Sequence, residues 1–194
     1  MSAQRLRIGI VGAGVMGGAY AKALVEYDRA QLVSVCDLDA ERAGRLGKAS
    51  GADAFGSVDE MLREVDLDAV VVATPDFAHP APVIACLEAG KAVLCEKPLA
   101  TTEEDCAAIA GAVARSGLPF MVNYGNRHRP AALKMKEALD DGRVGTPGYV
   151  YVRLNERLAK TLTISWLGKT SPLWFLMSHC TDLVYWLLDE EFAS

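Results

Sequence analysis

The stretch Leu6-Arg7-Ile8-Gly9-Ile10-Val11-Gly12-Ala13-Gly14-Val15-Met16-Gly17 decides the reading of this chain. Its first six residues are mostly apolar and β-branched, which predicts a buried strand. Three glycines follow at the spacing G-x-G-x-x-G, and a helical pattern then runs over 15–27. Each glycine has a mechanical reason. Gly12 permits the tight turn, Gly14 lets backbone approach a diphosphate, and Gly17 lets helix and strand pack closely. The helix start, at the amide groups of Gly14, Val15 and Met16, offers free N–H groups and a partial positive charge to phosphate oxygens. Asp37 ends a second strand predicted over 31–36, about twenty residues past Gly17, where an acid binds ribose hydroxyls. A carboxylate there also repels a 2′-phosphate, and no arginine follows in Asp37-Leu38-Asp39. NAD is therefore favoured over NADP, and Arg42 is the one residue weighing the other way.

Outward from this point, short β-branched runs alternate with helical patterns. Asp39 is placed to cap a helix running through Ser50, which Gly51 ends. Ser57 and Glu60 form a capping-box pattern for a short helix. The run 69–73 (AVVVA) is continuously apolar, as a strand covered on both faces should be. A helix over 80–89 is closed by Gly90, and a strand follows over 92–95. Thr101 and Glu104 form a second capping box, opening a helix that Gly117 ends. One more strand is predicted over 120–123. The alternation implies right-handed crossovers and an α/β fold with a doubly wound parallel sheet.

Past residue 124 the pattern changes. Pro130 suits the first turn of a helix reaching about residue 141. The run 146–155 (TPGYVYVRLN) predicts a longer strand, an irregular stretch follows through Trp166 and Lys169, and a last helix is predicted over 178–188. The expected domains are a nucleotide-binding unit over 1–124 and the first part of a substrate domain over 125–194.

Composition narrows the function classes. The chain is 51% hydrophobic and 23% charged, with a formal net charge of −5. This argues for a packed core and against a nucleic-acid surface, which needs a basic patch. The cluster Arg127-His128-Arg129 is too short to reverse that. Five cysteines lie mostly in apolar stretches without C-x-x-C spacing, and three histidines lack metal-like spacing. Reduced thiols, a cytoplasmic setting and no metal are expected. Glycines interrupt the apolar run after Arg5 and Arg7, against a signal peptide. No apolar stretch has the roughly 18 residues a membrane span requires.

Three further segments make the reading specific. Ala73-Thr74-Pro75 follows the apolar strand, with His79 soon after. Glu96-Lys97-Pro98 follows the next strand, and Asn123 ends another, leading into Asn126-Arg127. In this order they resemble the glucose–fructose oxidoreductase and inositol dehydrogenase family (Gfo/Idh/MocA), over essentially the whole chain. The resemblance implies a Rossmann domain joined to an α/β domain on a large, mostly antiparallel sheet. It also implies NAD(P)-dependent oxidation or reduction of sugars, polyols and related hydroxy compounds. Lys97 would stand between nicotinamide and substrate, where a cation stabilises a developing alkoxide, with Glu96 orienting or balancing it. Ala73, Thr74 and Pro75 would line the nicotinamide side of the crevice. His79 would either contact the cofactor or cap the helix after it. Asn123 would bond substrate or nicotinamide. Arg127 would either anchor substrate or form a salt bridge.

Near the C-terminus, His179-Cys180-Thr181-Asp182 resembles the family's histidine-bearing helix. His179 would be the general base for the substrate hydroxyl, and Asp182, on the same helical face, would bind substrate or orient the site. Many members carry an Asp four residues before this histidine, where this chain has Phe175. The run from Ser171-Pro172 to His179 resembles a subgroup instead, and Lys169 is a candidate compensating charge.

One predicted strand is too little for the family's second sheet, because a lone strand leaves its backbone groups unpaired. A C-terminally truncated chain is expected, whose full-length form is a homo-oligomer. The leading expectation is an NAD-dependent dehydrogenase of a sugar- or polyol-like alcohol. Two alternatives stand beside it: a catalytically silent NAD-binding module, and the same fold acting on tetrapyrroles or dihydrodiols.

Overall fold

Strand β1 (Leu6–Val11) is the centre of the fold, because its residues are apolar on both sides. Ile10 faces one hydrophobic layer with Ile8, Leu32, Val35 and Val71. Val11 faces the other with Cys36, Val70, Val72, Met61 and Val83. Neighbouring residues along a strand point to opposite faces, so each strand feeds two cores. Fully burying a side chain such as Ile10 or Val72 contributes roughly 1.5–3 kcal/mol.

In this computed structural model the described residues are 5–157, 162 and 164–189. After β1 come α1 (Val15–Val25), β2 (Ala30–Cys36), α2 (Ala40–Ser50), β3 (Asp53–Phe55) and α3 (Val58–Glu64). They are followed by β4 (Ala69–Val72), α4 (Pro80–Glu88), β5 (Ala92–Glu96), α5 (Glu103–Ser116) and β6 (Phe120–Asn123). The sheet order is β3-β2-β1-β4-β5-β6. Strands β1–β5 pair in parallel. The order reverses between β1 and β4, which is the switch point where open α/β sheets bind ligands at the strand carboxyl ends.

Local chemistry sets the helix ends. Asp39 caps α2 by accepting the Glu41 and Arg42 N–H groups, and Gly51 closes it at φ 72°. Ser57 caps α3. The cap of α5 is Thr102, which accepts the Asp105 N–H, one residue later than the expected Thr101–Glu104 box. Both threonines have an acid three residues on, and only the backbone conformation separates them. Helix α1 ends at Val25, two residues before the expected 27. The edge strand β3 was not expected from the sequence.

Two compact units divide the chain, residues 1–122 and 123–194. The second contains α6 (Pro130–Asp140), a short π-helical turn (Leu173–Met177) and α7 (Ser178–Leu188). The expected strand over 146–155 does not form. A strand needs a hydrogen-bonded neighbour, and among the described residues of this unit there is none. Tyr149, Val150 and Tyr151 instead border an apolar groove of about 320 Å³ with Met135, Leu139 and Leu187. Part of the irregular stretch, 158–161 and 163, lies outside the described residues.

Candidate active site

The glycine loop is fixed by contacts that only glycine permits. Gly12 has φ +101°, and a Cβ there would lie 2.5 Å from the Ala73 carbonyl oxygen. At Gly17 a Cβ would lie 1.9 Å from the Gly12 oxygen, so β1 and α1 are packed backbone to backbone. Gly14 is different: a Cβ would meet nothing within 4 Å. That open space lies at the start of α1, where Val15 and Met16 are exposed and no side chain caps the helix. The first-turn N–H groups of a helix have no intrahelical acceptor, and an anion satisfies them.

Asp37 stands at the carboxyl end of β2. Its Oδ2 accepts the Ala13 N–H at 2.8 Å, and its Oδ1 accepts the Asp39 N–H at 2.9 Å and Arg42 Nη2 at 3.0 Å. Burial pushes this carboxyl up. Arg42 and the two amides outweigh that and hold it below the ordinary carboxylate value. Arg42, the one residue weighing toward NADP, is Asp37's ion-pair partner. The signal available was its position in the first turn of α2, directed back toward β2.

Ala73, Thr74 and Pro75 leave the carboxyl end of β4, half-buried. The Thr74 hydroxyl is buried and has no hydrogen-bond partner among the described residues. A buried polar atom without a partner costs about 1–3 kcal/mol and invites a ligand group. The His79 ring is 1% exposed, and it makes no side-chain capping bond to α4. Nδ1 lies 2.8 Å from the Pro98 oxygen and Nε2 3.0 Å from the Thr74 oxygen. His79 thus ties the loop after β4 to the loop after β5.

Glu96 ends β5 and is 6% exposed. Its Oε1 accepts the Tyr20 hydroxyl at 2.6 Å, and its Oε2 accepts the Lys97 main-chain N–H at 3.2 Å. The Lys97–Pro98 peptide is cis. Burial lowers the Lys97 ammonium below the ordinary lysine value, opposed by the carboxylates of Glu96 and Asp76. Asp76 is 3% exposed, and its Oδ1 accepts the Phe77 N–H at 2.8 Å. Tyr20 and Asp76 were both missed from sequence. A lone phenol on the Ala- and Gly-rich α1, and an acid directly after Thr74-Pro75, were the available signals.

In the second unit, Asn123 is half-buried at the end of β6. Arg127 forms a two-pronged pair with Asp182, Nε and Nη2 both donating to the carboxylate. Asp182 is 9% exposed and engaged with Arg127. His179 is half-buried in the first turn of α7. Phe175 packs edge-on against Trp166, with ring centroids 6.0 Å apart. Among the described residues no cluster of three metal-ligating side chains occurs, and no helix is long and apolar enough to cross a membrane.

The first unit suits a nicotinamide dinucleotide: open space at Gly14 for the diphosphate, an acid at Asp37 for the ribose, and the partnerless Thr74 hydroxyl. A family model described as "Oxidoreductase family, NAD-binding Rossmann fold" matches residues 6–124. The chain is 38% identical over 190 residues to inositol 2-dehydrogenase 1 of Saccharopolyspora erythraea, covering 96% of this chain and 55% of that protein. It is 34% identical over 193 residues to an inositol 2-dehydrogenase of Rubrobacter xylanophilus, covering 97% and 54%. Among solved structures it resembles the WlbA dehydrogenase of Bordetella pertussis in complex with NADH and UDP-GlcNAcA. There the TM-score is 0.83 and the identity 32%, over 95% of this chain and 59% of that one. The chain thus spans about half the length of the curated relatives it matches.

Proposed function

Because the chain belongs to the Gfo/Idh/MocA family of NAD-binding Rossmann oxidoreductases, we propose that it serves a dehydrogenase acting on a CH–OH group of a sugar- or polyol-like compound. The observation that carries this reading is Lys97. Lys97 is half-buried at the carboxyl end of β5, where burial disfavours its ammonium and the charges of the buried Glu96 and Asp76 favour it. A lysine placed only for solubility would keep its ammonium in water. Inositol 2-dehydrogenases among the relatives, and a neighbour solved with a nucleotide sugar acid, support a polyhydroxylated substrate.

Bound NAD supplies the hydride acceptor or donor. Amides at Gly14, Val15 and Met16 hold the diphosphate, and Asp37 receives the ribose hydroxyls. Asp37 and the absence of an arginine directly after it favour NAD over NADP. Lys97 steadies negative charge growing on the substrate oxygen, a role in which a preorganised cation is worth several kcal/mol. His179 takes the hydroxyl proton as the general base. Asn123 orients the substrate or the nicotinamide, and Arg127 with Asp182 stiffens the segment that carries the base.

The test is direct. The purified chain, and any longer form of the protein, is mixed with NAD and a panel of polyols and sugar acids while the reduced-nicotinamide absorbance is followed. Lys97→Ala should lower turnover at least about 100-fold while NAD affinity changes less than about threefold. Equal loss of both would remove Lys97 from the chemistry. NAD binding with no turnover on any substrate would leave a silent binding module.

A further inference from the structure

We propose that Arg42 sets how this chain treats the 2′ position of the adenosine ribose: it is the receptor for a 2′-phosphate, so that the pocket takes NADP as well as NAD. The proposal rests on the dinucleotide seat assigned above to Gly14 and Asp37, and is independent of the roles given to Lys97 and His179.

Asp37 has little accepting capacity left for a ribose. A carboxylate offers about four lone-pair directions. Its Oδ2 accepts the Ala13 N–H, and its Oδ1 accepts both the Asp39 N–H and Arg42 Nη2. A ribose diol brings two further hydroxyl donors. One fits the open direction on Oδ2, and the other needs Oδ1, where a present donor must give way. The Ala13 and Asp39 donors are main-chain groups, fixed by the glycine loop and by the residue that caps α2. Arg42 donates from a long side chain that is 44% exposed, against 10% for Asp37. It is therefore the partner that moves when the ribose binds.

Arg42 also decides what charge a phosphate meets there. Asp37 and Asp39 place two carboxylates side by side, and the guanidinium faces both, with Nη2 3.0 Å from Asp37 Oδ1 and Nε 3.6 Å from Asp39 Oδ2. Without that cation a 2′-phosphate would approach two uncompensated negative charges. With it, a planar fork of donors, open to solvent on one side, stands against the acid that holds the ribose, and such a fork matches phosphate oxygens. A 2′-phosphate hangs from one of the hydroxyl oxygens that Asp37 would otherwise hold, so it arrives beside Arg42. The acid that repels the phosphate thus carries its own receptor for it, and Asp37 by itself does not exclude NADP.

The experiment measures binding and needs no turnover. Dissociation constants for NAD and NADP are determined by calorimetric titration of the chain and its variants at low and moderate salt. The unaltered chain should bind NADP within about 50-fold of NAD, and NADP should lose more affinity than NAD as salt rises, because the added contact is between exposed charges. Arg42→Ala should weaken NADP at least about tenfold and leave NAD within about threefold. Arg42→Lys, which keeps the charge without the fork, should fall between, raising the NADP-to-NAD ratio of dissociation constants by at least about threefold. If Arg42→Ala does not fold, Arg42→Lys carries the test alone. NADP binding outside that range in the unaltered chain, an equal loss of both dinucleotides in Arg42→Ala, or an unmoved ratio in Arg42→Lys overturns the proposal. A chain that binds neither dinucleotide fails at the seat itself, and the proposal falls with it, whereas NAD binding with an unmoved ratio removes only Arg42.

Discussion

Asp37 and Ala13 are joined across the carboxyl ends of β2 and β1 by a 2.8 Å hydrogen bond from the Ala13 N–H to the Asp37 carboxylate. The acid assigned to the ribose therefore also holds the glycine loop in shape. Asp37→Ala should lower NAD affinity at least about tenfold and destabilise the chain by roughly 1–2 kcal/mol. Calorimetric titration and urea unfolding check the two effects. The pH dependence has a definite sign. The folded carboxyl titrates below its ordinary value of 3.8, so its stabilisation is complete above that value and is lost as pH falls through it. The stability gap between wild type and Asp37→Ala should shrink below about pH 4.

Gly14 and Gly17 separate binding from folding. A Cβ at Gly17 would sit 1.9 Å from the Gly12 oxygen, backbone that cannot step aside. Gly17→Ala should destabilise by about 3 kcal/mol or more. A Cβ at Gly14 meets nothing, so Gly14→Ala should melt within about 0.5 kcal/mol of wild type. It should nonetheless lose NAD binding, because the methyl group would occupy the diphosphate's space. A Gly14→Ala protein binding NAD normally would move the diphosphate elsewhere.

Arg127 and Asp182 should be energetically coupled and unequal. The Asp182 side chain is 6% exposed and that of Arg127 35%. Arg127→Met strands a buried carboxylate and gives up the Tyr124 ring, 5.7 Å from the guanidinium. Asp182→Asn leaves a cation that water still reaches. The first substitution should therefore destabilise more. A double-mutant cycle on urea midpoints should give a coupling of about 1–2 kcal/mol after screening of the guanidinium.

His79 carries a pH dependence of its own. Burial lowers its pKa below the ordinary 6.5, although the Pro98, Thr74 and Leu99 carbonyl groups and Asp76 oppose the shift. The unfolded chain then takes up the proton first on acidification. The stability associated with a neutral buried ring is present above about pH 6.5 and is lost as pH falls from there toward the folded value. Unfolding midpoints measured from pH 8 to 5 should fall for wild type and fall less steeply for His79→Gln.

The buried thiols should be inert. Burial raises Cys36 to about 11 and Cys86 and Cys95 to about 12. The thiolate is the reactive form, so iodoacetamide near pH 8 should label these three only as fast as the chain unfolds. Peptide mapping after a timed pulse reads this, and rapid labelling of Cys95 would contradict its packing behind Glu96.

Much of the first unit was legible because its signals are local. Leu6–Val11, Ala40–Ser50 and Phe120–Asn123 follow from β-branched runs, an Asp cap and glycine stops, each acting within a few residues. The strand expected over 146–155 shows the limit. Its sequence has strand propensity, but a ladder requires a neighbour, and propensity cannot create one. Thr101 and Thr102 show a finer limit, since both have the acid a capping box needs and the chain's entry direction selects the second.

The glycine spacing and Asp37 determined by themselves the fold class and the cofactor class, because a tight turn and a close backbone approach admit few residue types, and Glu96-Lys97-Pro98 carried the family resemblance. Only the tertiary structure decided that His79 is a buried tie between two loops, that Arg127 and Asp182 satisfy each other, and that Tyr20 reaches Glu96 from 76 residues away. Those assignments depend on which polar atoms meet once the sheet has closed over them. Desolvation compels each buried group to find a partner, and the partner's identity is a matter of three-dimensional distance that no local pattern encodes.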